Sequence, residues 1–270
     1  MNIKLKKELF GLFLSLLCYF IILFLLSRIK SFSFDTLGIL FGLLTIPVIL
    51  YLAKRFGYYD KLGIKKEGFF IGVTYGIFFV LINIVLQILK GDLKLSFFSS
   101  HIISLPLFIG LFLAAFLEEL VFRGVLVSIL KEFKGVLFAL FISSLLWGFS
   151  HLEWLFFSNL PSSNFLISTS FLGLTYGVIF IRSKNIFSST ITHFLGNITI
   201  IYLLEGSGKP LFISLKTIFV VFIVFYPLLV DYLEAKRTNT KQSFSYSKYL
   251  SFFFIIFIFV LLIWELAGYW

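Results

Sequence analysis

Apolar residues recur along this chain in runs of roughly twenty that show no polar face, separated by short segments carrying Lys, Arg, Gly and Ser. A run of about 20 apolar residues is long enough to cross a bilayer as a helix, and a helix apolar all round belongs in lipid or protein, not at a water interface. The pattern predicts spans at about 9–26, 37–53, 69–89, 102–128, 135–157, 165–181, 186–204, 211–230 and 250–266. The expected fold is therefore all-α, a polytopic transmembrane helical bundle of about eight or nine spans forming a single membrane domain over 1–270, with core helices at 102–204. A barrel would need short alternating segments with a polar lumen face, and 252–263 is apolar at every position. The span at 211–230 is the least secure, because Lys216 costs about 2.5–3.5 kcal/mol at a helix centre unless it snorkels to an interface.

Composition agrees with lipid as the solvent. Charged residues make up 13% of the chain and hydrophobic ones 60%, with mean hydropathy +1.05, whereas soluble domains carry about 25% charged residues. The net charge of +10 does not indicate a nucleic-acid partner, since the basic residues are scattered through loops and not gathered on one face. They fit a topology instead. With a cytoplasmic N-terminus, 16 Lys and Arg fall in inner segments, among them Lys54, Arg55, Lys61, Lys131, Lys134, Arg182 and Lys184, against 5 in outer ones. The first apolar run, at about 18 residues, exceeds a signal-peptide core and is followed by no Ala-x-Ala-like site, so it is expected to remain as a helix. Cys18 is the single cysteine, which leaves no internal disulfide and no Cys-based metal site.

Ionisable residues deep in a span are expensive and mark functional sites by default. Here they fall in neighbouring helices. On a helix Glu119 and Arg123 are four apart and share a face, while Glu118 points about 100° away. Arg123 can hold Glu119 ionised as an orienting group. Glu118 lacks that local partner and is the candidate to activate water. The bland alternative is a structural ion pair plus an incidental carboxylate. Further along, Trp147-Gly-Phe-Ser-His151 closes one span, and His193 and Asn197 are one turn apart in another. His101, in the loop before the fourth span, is read as incidental. Depths counted from the inner helix ends scatter, at about 15–18 Å for Glu118, 24 Å for His151 and 10 Å for His193, a wide spread for one site.

The ordered set Glu118-Glu119-x-x-Phe122-Arg123-Gly124, Trp147-x-x-x-His151 and His193-x-x-x-Asn197 resembles the CPBP family, the CAAX-protease and bacteriocin-processing group also called Abi. The resemblance covers roughly 102–204, and Trp147 stands where the family often has Phe, a departure expected to touch packing more than chemistry. It implies proteolysis within the membrane, of a membrane-associated protein or peptide, with Glu118 and His151 preparing water and His193 and Asn197 stabilising the oxyanion. No cofactor is expected. The metalloprotease label used for the family implies an alternative, Zn²⁺ on His151, His193 and Glu118, though no HExxH motif is present.

Two other functions fit a polar intramembrane cluster. A proton- or ion-coupled transporter would show inverted repeats and paired broken helices, and neither is evident. An inactive membrane scaffold would show decay of the motif, yet each polar position is intact. The Phe-, Ile- and Lys-rich composition points to an AT-rich prokaryotic genome and away from a prenylated substrate.

Overall fold

The computed structural model describes residues 3–29, 34–70, 73–77, 105–151 and 162–203, and its regular elements are helices with no strand among the described residues. They are α1 (Ile3–Ser27), α2 (Phe34–Phe56), α3 (Leu105–Lys134), α4 (Val136–Ser150), α5 (Ser162–Ser183) and α6 (Ile186–Leu203). All six lie in a compact unit, Met1–Ser207. Among the described residues three helices are long and apolar enough to cross a membrane: α1, α2 from Thr36, and α3. Most of the expected span 69–89, and all of 211–230 and 250–266, lie outside the described residues, as does His101.

The helices are polar inward and apolar outward. On α1, Glu8, Ser15 and Tyr19 are buried while Phe10, Phe13, Phe24 and Leu25 are exposed, the reverse of a soluble amphipathic helix and the arrangement lipid demands. α1 packs on α2, α2 on α3, α3 on α6, and α4 on α5.

The expected end of the fourth span at 128 is corrected. Lys131 and Lys134 read as the start of a loop, yet α3 continues through them as one rod to Lys134, and Gly135, at φ 87°, turns the chain directly into α4. Helix hydrogen bonding does not stop where hydropathy does, because a helix can project past the hydrocarbon into the headgroups. The change removes most of the scatter in depth. Glu118 lies 17 residues before Gly135 and His151 lies 16 after it, so both sit about 25 Å up an antiparallel hairpin. Within the expected span 135–157, α4 ends at Ser150 with His151 as its C-cap, and 152–157 lie outside the described residues.

Within α3, Leu120–Val127 is π-helical, where a regular α-helix was expected. Such wide turns are rare and are frequently found at functional sites. Every residue of this stretch is buried, including Arg123.

The inner loop expected at 54–67 folds back against the bundle. Tyr58 and Leu62 are fully buried, and the Tyr58 hydroxyl meets Ser15 Oγ on α1 at 2.7 Å; burial pushes the phenol up to about 12, with the Ser15 bond pulling the other way. Lys61 Nζ donates to Glu8 at 2.8 Å and to Glu132 at 2.6 Å. Burial works against its charge, but these two carboxylates outweigh that and raise the ammonium above its ordinary value. Asn185 Nδ2 donates to the Lys65 and Glu67 carbonyls, while its Oδ1 accepts from Phe187 N–H at 2.7 Å and so caps α6. Gly63, at φ 75°, accepts from Ile186 N–H at 2.9 Å; a Cβ there would stand 3.1 Å from the Lys184 carbonyl, which only glycine permits.

This loop explains the shallow count for His193. The Leu62 carbonyl lies beside Gly124, so the α5–α6 corner that docks on Gly63 meets α3 near Gly124, well above the end of the rod. From that level Glu119 is five residues up and His193 is seven, or roughly 8 and 10 Å.

Candidate active site

Three helices bring their polar residues to one place. On α3, Glu119 Oε1 is 3.1 Å from Arg123 Nη1, and both side chains are fully buried. Arg123 Nη2 also donates to the Gly173 carbonyl on α5 at 2.7 Å, and the guanidinium carbon stands 5.1 Å from the Trp147 ring centre and 5.6 Å from that of Tyr176. Two aromatic faces thus help carry a cation that water does not reach. The expected pairing of Arg123 with Glu119 is present, the π turn notwithstanding.

Glu119 Oε1 lies 3.0 Å from His193 Nδ1. Beside Arg123 this carboxylate is an acceptor, so Nδ1 carries the hydrogen and Nε2 points onward. What Nε2 faces is Glu118 Oε2, at 3.9 Å, and His151 Nε2 faces the same oxygen at 3.7 Å. His151 Nδ1 lies 2.9 Å from the Trp147 carbonyl, an acceptor only, which fixes the His151 tautomer with its Nε2 lone pair toward Glu118. Gaps of 3.7 and 3.9 Å are too long for direct hydrogen bonds and suit one bridging water. Side chains of Glu118 and His151 keep 16% and 19% exposure against 2% for His193, so this corner is open on the Glu118–His151 side. Asn197 lies one turn beyond His193 on α6 and is half-buried.

Gly173 and Tyr176 escaped the sequence, as did one contact of Trp147. Trp147 was expected to matter for packing, yet its indole Nε1 donates to Glu118 Oε2 at 2.5 Å, a correction that gives it a polar contact with the proposed base. Gly173 carries no motif signal, but a Cβ there would stand 2.9 Å from Trp147 Cε3 and 3.3 Å from Arg123 Nη2. Its missing side chain is what admits the indole. Tyr176 completes the wall, stacked on His193 at 4.7 Å between ring centres. The signal for both is weak in sequence because α5 reads as ordinary apolar helix.

Residues 100–199 match the family model described as Rce1-like, type II CAAX prenyl endopeptidase. Over that stretch the chain is similar to the type II CAAX prenyl endopeptidases. That agrees with the resemblance carried by the three motifs, all of which fall within the matched residues. No curated protein and no solved structure matches the chain. The matched family is one of peptide-bond hydrolases, and the long apolar helices among the described residues support an integral membrane protein. As for a metal, no group of three His, Cys, Asp or Glu among the described residues is arranged to hold one, and Glu118 Oε2 is already engaged by Trp147.

Proposed function

We propose that the Rce1-like core is a glutamate-type endopeptidase that works without a metal, with Glu118 as general base. The observation that carries this reading is the convergence of two imidazole Nε2 atoms on one carboxylate oxygen, 3.7 and 3.9 Å away, at the partly open end of the cluster. A water in that gap gives one proton to Glu118 and directs the other to His151 Nε2 while its oxygen attacks the scissile carbonyl. The proton on Glu118 then passes to the leaving amine. His193 and Asn197 face the developing oxyanion. Because His193 Nδ1 already donates to Glu119, donation from Nε2 to the oxyanion requires the ring to carry both protons in that step. Glu119 and Arg123 orient this partner and take no part in proton transfer to substrate.

Asn197→Ala should lower cleavage about 10²–10³-fold if the amide is an oxyanion donor. Membranes from cells expressing the variant, assayed for newly formed protein N-termini, read this directly, and wild-type yields would remove Asn197 from the mechanism. A strong chelator should leave activity of the purified protein unchanged. Loss on chelation with recovery on adding Zn²⁺ would overturn the metal-free reading.

The substrate in this reading is a membrane-associated protein or peptide, and composition favours a prokaryotic cell membrane with the N-terminus in the cytoplasm. On that topology single cysteines at 65–67, next to the Asn185 contacts, react with an impermeant thiol reagent only in inverted vesicles. Labelling from outside intact cells would reverse the orientation.

A further inference from the structure

We infer that Trp147 is a positioning residue for the Glu118 carboxylate, its indole N–H fixing the oxygen on which both imidazoles converge; the inference rests on Glu118 being the general base. The indole itself has little freedom. It is 2% exposed, its ring lies 5.1 Å from the Arg123 guanidinium carbon and 5.8 Å from the Tyr176 ring, and Gly173 leaves the space its Cε3 edge fills. An aromatic held on several sides delivers its N–H in one direction, and that direction ends at Glu118 Oε2, 2.5 Å away.

The same residue also sets the second member of the pair. Its backbone carbonyl lies 2.9 Å from His151 Nδ1 and fixes the tautomer and aim of that ring. One residue on α4 therefore orients the carboxylate on α3 through its side chain and the imidazole at its own helix end through its main chain. A glutamate has three side-chain torsions to restrain, and the indole N–H stands closer to Oε2 than either imidazole does, at 2.5 Å against 3.7 and 3.9 Å. A hydrogen bond to an ionised carboxylate is among the stronger restraints available. A phenyl ring at 147 would keep the carbonyl and part of the packing but offer no N–H.

The test separates shape from hydrogen bonding. Trp147→Phe removes the N–H and some volume, whereas Trp147→benzothienylalanine replaces the N–H with sulfur and keeps the bicyclic shape. Both variants should form new N-termini in membranes about tenfold more slowly than wild type, less than the ~10² that ångström-scale misplacement of a reacting group can cost. The isostere should keep the wild-type melting temperature. In ¹⁵N-indole spectra of the wild-type protein, one of four tryptophan resonances is assigned by its loss in Trp147→Phe, and it should move upfield in Glu118→Ala. An isostere as fast as wild type, or an indole resonance indifferent to Glu118→Ala, overturns the inference. Glu118→Gln separates this from the underlying reading. If that variant still cleaves, the general-base assignment falls while the indole resonance still reports the bond; if it is inactive and the isostere is as fast as wild type, only the role of Trp147 falls.

Discussion

Glu118→Gln should slow formation of new N-termini in membranes by about 10²–10⁴, the range a positioned general base contributes, while the bundle stays as stable as before. Both halves of this expectation come from the surroundings. Gln keeps an oxygen to accept the Trp147 indole N–H and keeps the side-chain length, so the packing around Oε2 survives. It also removes one charge from a membrane span, which the fold does not resist. What is lost is the ability to take a proton from water lying between Glu118 and His151. New N-termini at the wild-type rate would refute the base assignment, and a collapse of the melting temperature would show that Glu118 is structural instead.

Arg123→Met should have the opposite profile, with a large loss of stability. Arg123 and Glu119 are both fully buried, and removing one member of a buried pair leaves an uncompensated charge at a cost of about 3–5 kcal/mol. Methionine fills part of the space but cannot donate to the Gly173 carbonyl, so a second buried acceptor loses its partner. Adding Glu119→Gln to Arg123→Met should recover a substantial part of the loss, because the orphaned charge is gone. Unfolding of the purified single and double variants in mixed detergent measures this. Additive losses in the double variant would mean the two residues do not act as a pair.

Much of the polar cluster was legible because membrane spans make ionisable residues conspicuous. Glu119 and Arg123 at a four-residue spacing, and His151 with His193, stand out against an apolar background in a way they would not in a soluble helix. The convergence itself was not legible. Counting from charges placed the end of α3 at 128, and the six further residues to Lys134 are what bring Glu118 level with His151. The shallow position of His193 was equally opaque, since it follows from a polar inner loop that packs under Gly124 and docks on Asn185. Hydropathy assigns such a segment to solvent. The indole bond of Trp147 depends on a glycine in another helix, 26 residues away, and no local pattern announces that. The expected spans at 211–230 and 250–266 are outside the described residues.

The wide turn after Glu119 places a constraint on the gene as well as on the protein. A π turn closes its hydrogen bond one residue later than an α turn, so Leu120–Val127 in effect holds an inserted residue. A deletion of one codon there would leave the hydropathy of α3 untouched and the helix as able to enter a membrane as before. Restoring the α-helical turn would, however, rotate everything on one side by about 100° relative to the other. The two carboxylates would then turn away from the face where α4 and α6 deliver their histidines, while Glu132 stayed anchored to Lys61 below. Reading frame, hydrophobicity and every motif letter could survive such an event with the enzyme lost. The number of residues in this stretch therefore matters to the site as much as their identity.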